Sequence, residues 1–341
     1  MSAPEPRANA FLLGHDAAEA ALVAALGHGR LHHAWLFTGP PGIGKATLAF
    51  RFARRLLAGA NEGAGQGLEV AADDPVFHRV AAGTHADLLT VERTWDEKKK
   101  RLSGDILVDT ARQIPEFLHL TPAEGGWRVV VIDGAEDLNT QSANAVLKVL
   151  EEPPAQAVLI LTCSTPGRLL PTIRSRCRQL KLAPLGEPEV AALLERYLPE
   201  MPAGEREQLA AMAEGSPGRA LALAGGGALA LARLVGEVFE GIDRLDAGRA
   251  HAIADVAARD DTTFSTFMDL LANALAAAVR DAGRGHAAPD QQRLLGARPL
   301  AAWVDVWQGL CELRDACEGL HLDRRQTIVT GLGLLAGSLS R

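Results

Sequence analysis

The most constraining feature of the sequence is a glycine-rich loop at residues 38–47, which reads Thr-Gly-Pro-Pro-Gly-Ile-Gly-Lys-Ala-Thr. Gly39, Gly44 and Lys45 satisfy all but the last position of the phosphate-binding pattern G-x-x-x-x-G-K-[ST]. An apolar run at residues 34–37 comes before the loop, and a helical pattern follows it. Because a strand, this loop and a helix in that order open an α/β nucleotide-binding domain, the loop predicts that class of fold.

The loop residues also predict what the site can hold. The three glycines, of which Gly42 is the middle one, let backbone N–H groups turn toward phosphates, and Lys45 reaches the β and γ oxygens. Ala46 stands where a hydroxyl should bind Mg²⁺, and Thr47 lies about 100° further round the helix. ATP or ADP can therefore dock on the segment that ends at Thr47, with Mg²⁺ weakly held or absent. The sequence leaves open whether the pocket is occupied.

The residues that a hydrolase needs behind the metal are incomplete as well. Asp133 ends an apolar run and is placed to support Mg²⁺. Gly134 follows it, where motor ATPases with such a loop carry a catalytic glutamate, and Glu136 is displaced from that position. The sequence thus lacks both the hydroxyl at Ala46 and the glutamate at Gly134. These two absences predict a subunit that does not hydrolyse ATP.

Further apolar runs predict the sheet. Residues 88–91, 129–132 and 158–162 lack polar alternation, which is typical of parallel strands covered by helices on both faces. Residues 106–108 are predicted to form an edge or irregular strand. The fold class is thus an α/β core with a parallel sheet.

The helix that follows the loop, residues 45–57, is predicted to be amphipathic. Its three arginines are predicted to lie on the exposed side, since the apolar residues alternate with them at helical spacing. They are Arg51, Arg54 and Arg55.

The strand signal ends near residue 182, and this divides the chain of 341 residues. Residues 1–182 are predicted to form the α/β core, and residues 183–225 a small helical lid domain. Residues 226–341 are rich in Ala and Leu and are predicted to form a wholly helical C-terminal domain, with helices near 228–242, 262–282, 299–318 and 323–338.

Composition excludes several classes of protein. With 35 basic and 42 acidic residues, the net charge of −7 argues against a protein that coats DNA through its overall field. No stretch reaches about 18 uncharged apolar residues, and the N-terminus has no apolar signal region, so a cytoplasmic protein is predicted. The four cysteines lack C-x₂-C spacing, which predicts reduced thiols and no zinc site.

Two motifs make a family resemblance specific. One is Asn-Ala-Val-Leu-Lys-Val-Leu-Glu-Glu-Pro-Pro at residues 144–154, and the other is Leu-Pro-Thr-Ile-Arg-Ser-Arg-Cys at residues 170–177. The pair resembles the clamp-loader branch of the AAA+ ATPases, in particular a non-motor subunit of the bacterial DNA polymerase III clamp loader. The resemblance covers essentially the whole chain. It implies an AAA+ core followed by a lid and a C-terminal collar that joins the subunits.

The resemblance also implies roles for single residues. Arg176 matches the arginine of the Ser-Arg-Cys motif, an arginine finger that reaches in trans to the γ-phosphate on a neighbouring subunit. Ser164 matches a polar sensor of the γ-phosphate, and Arg219 matches the second sensor arginine. Lys148 lies on a helix that is near DNA in this family.

The implied partners are the gamma/tau and delta subunits, the sliding clamp, and primed DNA through the assembled complex. An alternative is an ATP-hydrolysing motor subunit of the gamma/tau type, in which Thr47 and Glu136 replace the missing groups. Many members of this branch carry a four-cysteine zinc module after the loop helix. Residues 58–85 contain no cysteine, and His78 and His85 alone cannot complete a tetrahedral site.

Overall fold

A computed structural model describes residues 3–27, 31–59, 67–96, 101–124, 126–225, 227–286, 289–296 and 299–337. The chain forms two compact units, Met1–Ala220 and Leu221–Arg341. The predicted boundary at residue 182 falls inside the first unit and remains a proposal.

The first unit alternates helices and strands along the chain. Its elements are α1 (Asp16–Gly27), β1 (Ala34–Thr38), α2 (Lys45–Leu57), α3 (Pro75–Ala81), β2 (Leu88–Val91), β3 (Trp95–Asp96), β4 (Arg101–Leu102), α4 (Val108–His119), β5 (Arg128–Ile132), α5 (Thr140–Glu151), β6 (Ala157–Cys163), α6 (Pro171–Arg176), β7 (Arg178–Lys181), α7 (Glu187–Tyr197), α8 (Ala203–Met212) and α9 (Pro217–Gly225), which crosses the boundary between the units.

Five of these strands form one sheet in the order β2-β5-β6-β1-β7, and every neighbouring pair is parallel. This confirms the predicted parallel sheet and α/β core. β3 and β4 form a separate antiparallel pair. The edge strand β7 was not predicted, because its residues are polar and mostly exposed and lack an apolar run.

The sheet is covered on both faces, as the uninterrupted apolar runs predicted. Trp35 and Phe37 of β1 pack in one cluster with residues of α1, α2 and α3, and the Trp35 ring meets Phe52 edge-on at 5.9 Å. Ala34 and Leu36 pack on the other face with residues of α4 and α5. Since successive strand residues point to opposite faces, the alternation along β1 supplies both halves of the core.

Residues 106–108 do not form a regular strand. Ile106 makes a single β-bridge with Leu138, and its N–H donates to Asp137 O at 2.8 Å. α4 begins at Val108, because buried residues recur at helical spacing over Ala111, Ile114 and Leu118.

The prediction that Arg54 is exposed was wrong. The side chain is buried, and its guanidinium donates to Arg7 O at 2.9 Å and to Asn9 O at 2.8 Å. Arg51 is also largely covered, by an ion pair with Glu19. The N-terminal segment crosses α2 here, and its backbone carbonyls provide the partners that a buried guanidinium needs.

The second unit is wholly helical over its described residues. It contains α10 (Ala228–Glu240), α11 (Ala247–Ala257), α12 (Asp261–Gly283), α13 (Pro289–Leu295), α14 (Leu300–Leu320) and α15 (Arg324–Gly337). The four predicted helices are confirmed, whereas α11 and α13 were not predicted. α12 is long and apolar enough to cross a membrane, but half of that stretch is buried within the protein, as in the core helix of a globular domain.

Candidate functional site

The glycine-rich loop joins the end of β1 to the start of α2, at the carboxyl edge of the sheet. Two of its glycines have no room for a side chain. Gly39 has φ +152°, and a Cβ there would lie 2.5 Å from Leu182 O. Gly42 has φ +74°, and a Cβ there would lie 2.5 Å from Ser216 Oγ. The loop is therefore a close approach of three chain segments, and only glycine fits at these two positions.

Lys45 is buried at the first position of α2, and its ammonium group is fully engaged. Its Nζ donates to Gly39 O at 2.8 Å, to Pro40 O at 2.7 Å and to Ser164 Oγ at 2.8 Å. A lysine ammonium has three N–H donors, so these bonds use all of them. Burial lowers the pKa of Lys45, while the nearby carboxylates of Glu136 and Asp133 oppose that shift.

Ala46 and Thr47 occupy the next two positions of α2, and both are half-buried. The methyl group of Ala46 offers no ligand for a metal. Successive residues of a helix are about 100° apart, so the side chain of Thr47 leaves the helix in a different direction from that of Ala46.

Asp133 and Ser164 each follow the end of a strand, as predicted, and these strands, β5 and β6, are neighbours in the sheet. Thr162 Oγ1 donates to Asp133 Oδ1 at 2.5 Å and accepts from Gly134 N at 3.0 Å. Gly134 has φ +78°, a conformation that disfavours a glutamate at this position. Ser164 accepts the bond from Lys45, so the structure brings Lys45, Asp133 and Ser164 together.

Glu136 lies closer to this site than its displacement in the sequence suggested. The short 3₁₀ turn Ala135–Asp137 brings its side chain back toward β6, and its Oε1 accepts from Ser164 N at 2.7 Å. Its Oε2 is buried. Burial, followed in size by the Glu136 charge, raises the pKa of Cys163 to about 12.

A cavity of about 590 Å³ opens beside these carboxylates. Its lining includes Asp133, Glu136 and Ser164 together with Arg7, Arg93 and Trp95. The cavity therefore continues the site along the carboxyl edge of the sheet, where ligands of α/β proteins bind.

The start of α9 lies directly against the loop, a contact that the sequence did not reveal. Ser216 Oγ donates to Pro41 O at 2.9 Å, and Gly218 N donates to Gly42 O at 2.9 Å. A Cβ on Gly218 would lie 2.9 Å from the Cα of Gly42. The sequence signal was the Gly-Ser-Pro-Gly segment at 215–218, in which small residues allow two backbones to touch.

Arg219 reaches this site with its backbone only. Its N–H donates to Ser216 Oγ at 3.2 Å, while its guanidinium lies 3.4 Å from a carboxylate oxygen of Glu214. The predicted sensor side chain is thus paired within its own segment rather than with the loop.

Arg176 stands apart from the loop residues. It is the last residue of α6, and its side chain is 37% exposed. Its Nη2 lies 2.8 Å from Glu151 Oε1, and its Nη1 donates to Thr172 O at 3.1 Å. Lys148 is exposed on α5, the helix that ends at Glu151.

The two histidines considered as zinc ligands lie within α3 and shortly after it in the chain. His78 belongs to α3, and the buried His85 accepts a bond from Asp87 N at 3.1 Å. Across the residues that the structure describes, no cluster of three or more His, Cys, Asp or Glu side chains could hold a metal. Residues 60–66 of the stretch in question lie outside the described residues, so the absence of zinc stays a prediction.

Comparisons with known proteins agree with these motifs. The family model described as "DNA polymerase III, delta subunit" matches residues 14–186. DNA polymerase III subunit delta' of Pseudomonas aeruginosa is 41% identical over 229 residues, which are 66% of this chain and 65% of that protein. Subunit tau of Salmonella typhimurium is 32% identical over 195 residues, 57% of this chain and 28% of its own.

A solved structure extends over more of the chain at lower similarity. The DNA polymerase III gamma subunit-related protein from Thermotoga maritima covers 93% of this chain and 99% of its own, with 17% identity and a TM-score of 0.44. By contrast, the chain matches less than two thirds of the length of each of the two subunits named above, delta' and tau.

Proposed function

The chain belongs to the delta-prime family of DNA polymerase III subunits, and from this we propose that it serves in a bacterial clamp loader as a subunit that does not hydrolyse ATP. In this proposal its own nucleotide site is idle. Arg176 instead supplies a positive charge in trans to the ATP of an adjacent motor subunit. The work of the assembly is to place the sliding clamp on primed DNA during replication.

The observation that carries the proposal is the state of Lys45. A phosphate-loop lysine acts by reaching the β and γ phosphates, but all three donors of this one are bonded within the protein. The start of α9 is hydrogen-bonded to the same loop. A triphosphate would have to displace the hydrogen bonds of Lys45 and those between the loop and α9. It would do so without help from a Mg²⁺ ligand at position 46, because Ala46 has no hydroxyl.

Arg176 is the group best suited to act on another chain. Nearby, Arg174 donates to Pro166 O at 3.0 Å, and Arg178 lies over the Trp35 ring at 4.8 Å from its centroid. Arg176 instead ends a helix at the surface and pairs with an exposed carboxylate. A guanidinium supplied in trans stabilises the charge that spreads over phosphoryl oxygens in the transition state.

The partners in this proposal are the gamma/tau and delta subunits, the clamp, and primed DNA through the complex. The second unit offers a surface for subunit contacts along α14. Leu300, Val304 and Trp307 recur at helical spacing and are 37%, 50% and 39% exposed. Such a stripe suits the collar that joins subunits, and the proposed location of the assembly is the bacterial cytoplasm.

The cofactor side of the proposal follows from the same residues. Gly39, Gly42, Gly44 and Lys45 are the groups that would hold ATP or ADP, with Asp133, Ser164 and Arg219 around them. Because Ala46 carries no hydroxyl, we expect Mg²⁺ to be bound weakly or not at all. We propose that no zinc is bound.

The test is ATP turnover by the clamp loader reconstituted from this chain and its own partner subunits. Arg176→Ala should assemble normally and lower DNA-stimulated turnover about tenfold or more. Arg174→Ala, which removes an equal charge two residues away, should leave turnover near that of the wild type. Full activity in the Arg176→Ala complex would reject the finger role.

One observation favours the alternative, a motor subunit of the gamma/tau type. Glu136 lies against Ser164 with its second carboxylate oxygen buried, a position from which it could orient a water. In that case the isolated chain would hydrolyse ATP, and Lys45→Ala or Glu136→Gln would abolish the activity. We expect no turnover by the isolated wild-type chain.

A further inference from the structure

Arg176 is held by groups from two different helices. Thr172 O, one turn earlier in α6, accepts from its Nη1, and Glu151, the last residue of α5, pairs with its Nη2 at 2.8 Å. An arginine side chain carries five N–H donors, and these contacts use two of them. The remaining donors are available to an anion while both contacts persist.

Glu151 has the properties of an orienting group. Its side chain is 53% exposed, and that of Arg176 is 37% exposed. An ion pair at this exposure is weak, so it does not compete with the greater charge of a triphosphate for the guanidinium. It does restrict the rotamers of a long side chain that would otherwise lose that freedom on reaching its target.

The neighbouring arginines, Arg174 and Arg178, are held by contacts other than an ion pair, whereas Arg176 pairs with this carboxylate. Arg174 bonds to a backbone carbonyl, and Arg178 lies on an aromatic ring. The backbone contact of Arg176 to Thr172 fixes only one end of its guanidinium. Glu151 provides the second fixed point, and it comes from a different element of the fold.

We infer that Glu151 is a positioning residue for Arg176, holding the guanidinium in the orientation from which it meets the phosphates of an adjacent subunit. The inference rests on the proposed function. Glu151 itself touches no substrate, and it acts only through Arg176.

The experiment is a double-mutant cycle in the reconstituted clamp loader, with ATP turnover measured on primed DNA. Glu151→Ala should lower kcat about two- to fivefold, the range expected for a half-exposed ion pair, and leave the KM for ATP unchanged. Glu151→Gln, which keeps an acceptor but removes the charge, should fall between Glu151→Ala and the wild type. Glu152→Ala removes an exposed carboxylate one residue along and should have no effect.

The decisive comparison is made in the Arg176→Ala background. There Glu151→Ala should cause no further loss, because its partner is already absent. An equal further loss in that background would assign Glu151 a structural role and overturn the inference. Wild-type turnover by the Glu151→Ala complex, with a slow Arg176→Ala complex, would reject the inference and leave the proposed function standing. Full turnover by Arg176→Ala would reject both.

Discussion

Arg54 shows, at the scale of one residue, how a charged side chain becomes part of a core. Its guanidinium bonds to the carbonyls of Arg7 and Asn9 and lies 4.7 Å from the centroid of the Phe77 ring. Burial lowers its pKa to about 10, so it remains charged near neutral pH. The helical pattern of α2 could not predict this, because its partners come from a segment about 45 residues earlier.

Replacing Arg54 should therefore destabilise the first unit. Arg54→Ala leaves two partly buried carbonyls without donors and a void beside Phe77, so the free energy of unfolding should fall by about 2–4 kcal/mol. Denaturant unfolding followed by circular dichroism measures the change. Arg55→Ala, at the next and more exposed position, should cost less than about 1 kcal/mol. Equal losses in the two variants would show that the bonds of Arg54 contribute little.

At the scale of the element, the loop and the start of α9 act as one packed unit. The sequence predicted the loop, its strand and its helix, because each has a local pattern. It did not predict the contact with residues 216–218, because a local sequence pattern does not indicate which distant segment packs against the loop. The close approach of Gly218 to Gly42 depends on two small residues about 175 positions apart.

This packing makes two glycine substitutions behave in opposite ways. Gly218 and Gly204 each occupy the second position of a helix, α9 and α8 respectively. Gly204→Ala meets nothing within 4 Å and should be neutral or stabilising by up to about 1 kcal/mol. Gly218→Ala collides with the backbone of Gly42 and should cost about 1–3 kcal/mol.

Hydrogen exchange identifies where the Gly218→Ala damage lies. We expect the loop amides of Gly42, Ile43 and Gly44 to exchange faster in this variant than in the wild type or in Gly204→Ala. Unchanged exchange at the loop, despite a loss of stability, would contradict the view that α9 holds the loop closed.

At the scale of the whole molecule, the sequence predicted the sheet better than the site. Four of the five strands were visible as apolar runs because the sheet is buried on both faces. β7 was missed because an exposed edge strand does not need apolar residues. In the site, Lys45, Asp133 and Ser164 were predicted together from their motifs, whereas the return of Glu136 depends on a single 3₁₀ turn.

Two buried histidines predict how the stability of the first unit changes as the pH is lowered. Burial lowers the pKa of His33 and of His85, each of which has a buried Nε2 without a hydrogen-bond partner. Below pH about 6.5 the unfolded chain binds protons that the folded chain does not. The free energy of unfolding should therefore fall as the pH is lowered from 7.5 to 5.5.

Unfolding measured at both pH values tests this. His85→Gln should reduce the pH dependence, even if it lowers stability at pH 7.5. A wild-type stability that is flat across this interval would show that the two buried rings do not govern the response. Burial also raises the pKa of Asp137, which works in the opposite sense at lower pH.

Only the buried Cys177 lies between Arg176 and the first residue of β7. A side chain tethered so near a rigid layer cannot be delivered by the swing of a flexible arm. In the proposed assembly, its position relative to an adjacent chain would depend on the orientation of the entire α/β core. If Arg176 acts on an adjacent chain as proposed, a tilt of that core by a few degrees would present or withdraw the charge. The orientation of the subunit, rather than the movement of a loop, would then determine when the adjacent ATP can react.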